Sequence, residues 1–383
     1  MGLTPPAGTP VRFRDERGSP EMKSSSTARR RWTSALRITL SVTVVVVIFF
    51  VVMPRIADFS EVQATLVKMT WLEAVTLALA AAWNLVTYWI LMMTTLPGLG
   101  FTQAMVVTET STALANILPG GQALGLGLSY SMFSSWGFHR PTIAASIVVS
   151  GIADLFVKLS APVIALVILA IDGEANATLV AASVVGAALL GAAIAFLAVA
   201  LKSARSARSV GEGLGSVASF LLRLARRPPV KGWGEGTAKW RAETVELLQG
   251  RWWRVVAAAF LSHASLFLVL LIALRHVGVA EAEVSWGEAL GAFSVARLLT
   301  ALPITPGGLG IIELGLTAAL VLAGGPEVPV VAAVLVFRAL TYLVQIPFGA
   351  ITYLFWQHNR AWRGSKTESG SESEDEESER LPI

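Results

Sequence analysis

The chain has 383 residues, of which 54% are hydrophobic and only 15% charged, against about 25% charged in a soluble domain. This excludes an ordinary soluble enzyme. There is no cysteine, which excludes disulfide and thiolate chemistry, and the four histidines have no paired spacing that would predict a metal site.

The apolar residues gather in blocks of roughly 16 to 30. That is the length a helix needs to cross a hydrocarbon core about 30 Å thick. Barrel strands would instead alternate apolar and polar residues over about ten positions, and no such pattern occurs. The predicted fold class is therefore all-α, a polytopic transmembrane helix bundle. The net charge of +4 reads as basic cytoplasmic loops rather than as a nucleic-acid surface.

In chain order, residues 1–35 are polar and rich in Pro, Ser and Arg, and are predicted as a disordered cytoplasmic tail. Arg29, Arg30, Arg31 and Arg37 lead into a first apolar block, 38–53. It is predicted as a retained anchor, because no small-residue cleavage site follows it. Further blocks fall at 72–95, 102–118, 120–135, 142–171, 177–201, 252–275, 286–304, 308–325 and 328–356. Between them, 202–251 reads as a basic, partly amphipathic cytoplasmic linker. After Trp356, residues 357–383 form a Ser/Glu-rich tail predicted to be disordered. Lys and Arg at block ends place both termini on the cytoplasmic side of the cell membrane, while Asp172–Glu174 and Glu281–Glu283 fit the outer side.

Two stretches of this transmembrane domain, 36–356, resemble each other. Asn116-Ile-Leu-Pro119-Gly120-Gly121 and Pro303-Ile-Thr-Pro306-Gly307-Gly308 each follow a long apolar block, and each precedes another block with a late proline, Pro162 or Pro347. The first repeat covers 71–171 and the second 252–356. Block 72–95 is predicted to run inward and 252–275 outward, so the repeats are inverted, a plan common among secondary transporters. The two Pro-Gly-Gly segments then form helical hairpins, either crossing or re-entrant. Pro stops the incoming helix, Gly-Gly permits close backbone approach, and the next helix N-terminus can face an anion.

Charge at membrane depth usually has a partner or a task. Glu109, Asp154, Lys158, Arg297, Glu313 and Arg338 are the candidates. Asp154 and Lys158, spaced i, i+4, can pair. Arg297 and Glu313 fall at similar depth on either side of Pro306, within reach of each other across the hairpin. Guanidinium suits phosphate, so Arg297 and Arg338, with the Gly307-Gly308 backbone, are predicted to hold a lipid phosphate. Glu109 or Glu313 is placed to carry a proton or hold an ammonium group. His263 reads as an interhelical hydrogen-bonder. The twelve tryptophans mostly stand at block ends, as interface anchors do. No His-Glu-x-x-His, Gly-x-Ser-x-Gly or Walker A pattern occurs. No enzyme, metal or cofactor is therefore predicted.

The stretch Arg297-Leu-Leu-Thr-Ala-Leu-Pro-Ile-Thr-Pro306-Gly307-Gly308-Leu-Gly-Ile-Ile-Glu313, with Asn116–Gly125 and Phe337-Arg338-Ala-Leu-Thr-Tyr342, resembles the transmembrane region of lysylphosphatidylglycerol synthases and related stand-alone flippase-like proteins. The resemblance implies lipid handling, in which this region moves a phospholipid or lipid-linked headgroup between leaflets. Only a short acidic tail follows Trp356, so synthase activity is not expected. Gln122 to Phe133 carries no charge, where members of that family often have an acid and an arginine. The expected partners are membrane lipids. A rival expectation is a non-transporting scaffold for an envelope-biosynthesis enzyme. Small-residue faces would permit a homo-oligomer.

Overall fold

The computed structural model describes residues 59–118, 121–172, 177–224, 232–248, 250–300 and 305–359. The N-terminal tail, the anchor block 38–53, Pro119, Gly120 and the tail from residue 360 lie outside the described residues. The described residues form helices and no strands.

A short helix α1 (Phe59–Val67) precedes a first group of four: α2 (Trp71–Thr95), α3 (Phe101–Ile117), α4 (Gly121–Ser135) and α5 (Arg140–Asp172). Helix α6 (Ala177–Lys202) then leads to α7 (Ala204–Leu224) and α8 (Trp233–Leu248). The second group is α9 (Trp252–His276), α10 (Trp286–Leu299), α11 (Ile311–Leu322) and a last long element. That element is α12 (Glu327–Arg338), a π-helical turn at Ala339–Leu343, and α13 (Gln345–His358).

Local sequence sets the helix starts. Thr70 and Glu73 exchange hydrogen bonds at the head of α2, where the Glu73 carboxylate accepts from the Thr70 N–H at 2.7 Å. Ser285 and Glu288 do the same for α10. Each capping box satisfies two of the N–H groups that a helix start leaves free. Trp71, Trp252 and Trp286 stand exposed at these starts, as expected of anchors at a membrane interface.

Among the described residues, four elements are long and apolar enough to cross a membrane: Trp71–Thr95, Arg140–Ile171, Trp252–His276 and Glu327–His358. By contrast α3, α4, α10 and α11 have 17, 15, 14 and 12 residues. Each falls short of the ~20 residues a full crossing needs.

Packing between the two groups is reciprocal. Helices α2 and α9 lie antiparallel. Thr76 meets His276 at one end of the pair, and Asn84 donates to the Ser262 carbonyl and the Ser265 hydroxyl in the middle. Leu91 packs among Val255, Ala258 and Ala259 at the other end. Helix α3 lies antiparallel to α13 of the other group, where Thr110 meets Thr352 at 3.0 Å and Tyr342 donates to the Asn116 carbonyl at 2.8 Å. In the same way α10 lies antiparallel to α5, with Gly287 against Ile168 and Leu169 and Arg297 near Asp154.

Close approach of α3 and α13 depends on Gly349. A Cβ there would overlap Ala113 and the Glu109 carbonyl. We expect Gly349→Val to cost about 1–3 kcal/mol by overpacking, read as a lower thermal midpoint in detergent. Gly151→Ala, where nothing lies within 4 Å, should leave the midpoint unchanged or raise it.

The 202–251 stretch is more structured than a linker. Helices α7 and α8 form an antiparallel hairpin because α7 offers Gly211 and Gly215 to its partner, where any Cβ would crowd Trp233 or Thr237. Residues 225–231 of this stretch lie outside the described residues.

Candidate functional site

Five of the six candidate charges gather in two clusters, each on several elements. The first joins α5, α9 and α10. Lys158 Nζ lies 2.6 Å from Asp154 Oδ2, so the i, i+4 pair forms as the spacing predicts. Asp154 Oδ1 lies 3.3 Å from His263 Nε2 and 3.8 Å from Arg297 Nη2. Arg297 Nη2 also stands 3.2 Å from His263 Nε2.

The tautomer of His263 follows from its neighbours. Nδ1 faces the Ala259 carbonyl at 3.1 Å. A carbonyl only accepts, so Nδ1 carries hydrogen, while Nε2 faces both the Arg297 guanidinium and the Asp154 carboxylate. Two cations, Lys158 and Arg297, stand against one carboxylate, Asp154. The cluster holds at least one positive charge in excess, and Arg297 Nε is buried without a hydrogen-bond partner among the described residues. His263 thus acts as the interhelical hydrogen-bonder its isolation predicted, and it helps to aim Arg297.

The second cluster closes the Pro306-Gly307-Gly308 turn. Gly307 and Gly308 have φ of 56° and 70°, a left-handed region that side chains other than glycine enter at a cost. Glu313 is 1% exposed. Its carboxylate accepts from the Gly310 N–H and from Arg338 Nε, both at 2.6 Å. Arg338 also donates to the Gly307 carbonyl at 3.2 Å and stacks over the Tyr342 ring at 4.4 Å.

This geometry corrects one expectation. Arg297 and Glu313 do not pair across the hairpin. Glu313 turns to Arg338, twenty-five residues on in sequence, and Arg297 turns away to Asp154. The reason is that the last helix runs beside the turn and presents a nearer guanidinium. The start of α11 is also occupied, because Glu313 takes the Gly310 N–H that an external anion would use.

The two Pro-Gly-Gly regions come close to each other. A Cβ on Gly307 would overlap the Tyr342 ring and lie 2.8 Å from Asn116 Oδ1, near the end of α3. Gly121 opens α4, and a Cβ there would overlap the backbone of Leu114 and Ala115. We expect Gly307→Ala to cost about 2–4 kcal/mol, from the left-handed backbone and the overlap together. A lower thermal midpoint of the purified protein would report it.

Glu109 joins neither cluster. It is 1% exposed, with Oε1 accepting from Trp89 Nε1 at 2.7 Å and Oε2 without a hydrogen-bond partner among the described residues. The sequence did not single out Trp89, and it gave Asn116 and Tyr342, which lie in the quoted motif stretches, no role of their own. Only Tyr342 carried a legible signal, four residues after Arg338 and so on its helical face.

Long apolar helices, reciprocal packing and ionisable groups held at their middle define a polytopic helical membrane protein. Residues 35–349 match the lysylphosphatidylglycerol synthase transmembrane region family, and the chain belongs to that family. No curated protein matches the chain.

Proposed function

We propose that this protein moves a phospholipid or lipid-linked headgroup between leaflets, and that the Asp154–Lys158–His263–Arg297 cluster receives the headgroup's phosphate. One observation carries this reading. A positive charge in excess, with a guanidinium N–H left unpartnered, sits at the middle of membrane-crossing elements. Such a group is costly there without a counter-ion. A phosphate supplies the counter-ion, and the planar guanidinium suits it. The side chain of Asp154 is 35% exposed, which suits a crevice open to polar groups better than a face against hydrocarbon.

The second cluster serves a different task in this reading. With Arg338 committed to Glu313 and Gly307, the Pro-Gly-Gly turn is a rigid wall of the pathway rather than a phosphate cradle. The reciprocal packing of α2 on α9, α3 on α13 and α10 on α5 supports inverted repeats, and the short α3–α4 and α10–α11 pairs support hairpins that enter without crossing. The protein would act in the cell membrane with both termini cytoplasmic, without catalysing covalent chemistry, and with membrane lipids as its partners.

The test is lipid translocation by purified protein in vesicles, with labelled anionic, zwitterionic and aminoacylated phospholipids in parallel. Selective movement of one class is expected. Folded protein that moves none of them would favour the scaffold reading, and loss of function on deleting 364–383 would strengthen it.

A further inference from the structure

Helix α7 leaves one of its faces uncovered. At 3.6 residues per turn, Ala207, Gly211 and Gly215 fall on one side, and this side is buried against neighbouring helices. Arg205, Glu212, Ser216 and Arg223 fall together on one flank, roughly a third of the way round the helix. The opposite face and the other flank carry a stripe of Leu214, Val217 and Phe220, which are 44%, 60% and 68% exposed. The small-residue side makes the intramolecular contact, so the apolar stripe has no such use among the described residues.

We propose that α7 lies in the plane of the bilayer surface, with Leu214, Val217 and Phe220 in the boundary between headgroups and acyl chains of an anionic leaflet. An amphipathic helix with a basic polar side and an apolar stripe settles at that depth. Two further observations choose a membrane as the occupant. The hairpin stands between two apolar helices. It follows α6, which carries the apolar run Val184–Phe196 and ends at Lys202. It precedes α9, which is long and apolar enough to cross a membrane and begins with the exposed Trp252 and Trp253. Charge complementarity selects the lipid type. Residues 202–251 carry ten basic against four acidic side chains, and anionic headgroups attract such segments. Arg208 is engaged by Glu235 at 3.0 Å, which leaves Arg205 and Arg223 as the headgroup contacts on α7. This inference does not depend on which lipid, if any, the protein moves.

The absence of cysteine makes the test direct. Val217→Cys and Ser216→Cys are each labelled with a nitroxide in the full chain. The proteins are placed in nanodiscs containing phosphatidylglycerol and phosphatidylcholine. Collision with dissolved oxygen and with a water-soluble nickel chelate is then compared. The expected result is a label at 217 that meets oxygen and is shielded from nickel, with the reverse at 216 and a severalfold difference in their ratio. Nickel access at 217 equal to that at 216 would overturn the proposal. So would a label at 217 shielded from both agents, since protein would then cover the stripe. Dipolar broadening between labels at 217 would assign the stripe to a second copy of the chain, and would overturn it as well. Arg205→Gln with Arg223→Gln should reduce the shielding of the 217 label, by roughly fivefold per arginine in the balance of inserted over lifted helix.

Discussion

Arg297→Ala should abolish lipid translocation in reconstituted vesicles while the protein keeps its elution profile and thermal midpoint. The two halves of this expectation have one cause. Arg297 is the cation in excess. Its removal leaves Asp154 paired with Lys158 at 2.6 Å and His263 still bonded to the Ala259 carbonyl. Asp154 keeps Lys158 as its counter-ion and His263 keeps its backbone partner, so the fold loses little. A bound phosphate would lose its charged partner, at about 2–4 kcal/mol, or roughly thirty- to a thousandfold in affinity. Arg297→Lys should fall between, because the ammonium keeps the charge and loses the fork. Translocation by Arg297→Ala at the unchanged rate would remove this cluster from the mechanism.

Glu313→Ala should have the opposite character, a loss of stability first and of activity as its consequence. Glu313 is fully enclosed and holds both Arg338 and the Gly310 N–H. Its loss would leave a mostly buried guanidinium without its carboxylate. Breaking a buried pair from one side costs about 3–5 kcal/mol. The Gly307 turn would also lose its order, since Arg338 is the group that ties its carbonyl to the last helix. Scanning fluorimetry on the native tryptophans should show the fall. The double variant Glu313→Gln with Arg338→Leu should recover much of the midpoint, because neither buried charge is then left alone. If the single and double variants melt together, the pair is not what holds the turn.

The helices were legible from composition and block length because hydrocarbon leaves a backbone few alternatives. Helix α2 was expected at 72–95 and runs from Trp71 to Thr95; α9 was expected at 252–275 and runs from Trp252 to His276. The Asp154–Lys158 pair was legible for a similar reason, since it needs only helical spacing. Partnerships between distant elements were not. Whether Arg297 meets Glu313 or Asp154 depends on which helix packs beside α10, and no local periodicity records that. The α7–α8 hairpin was hidden for another reason. Its contact surface is made of glycines, which read as loop residues in sequence and act as close-approach surface in three dimensions. The π turn after Arg338 was also invisible. It lets α12 and α13 present different faces within one crossing, so that Arg338 meets Glu313 while Thr352 meets Thr110.

The crosswise packing has a consequence for how the chain is made. Helix α3 finds its partner α13 more than two hundred residues later, and α5 waits for α10 in the same way. At about 5–20 residues per second, the first group would sit in the membrane for tens of seconds before its partners emerge. During that interval Asn84, Thr87 and Thr110 face lipid or provisional neighbours in place of Ser265 and Thr352. Neither half is therefore expected to persist when synthesised alone. The two halves, produced together from a chain cut between α7 and α8, should protect each other from proteolysis during assembly.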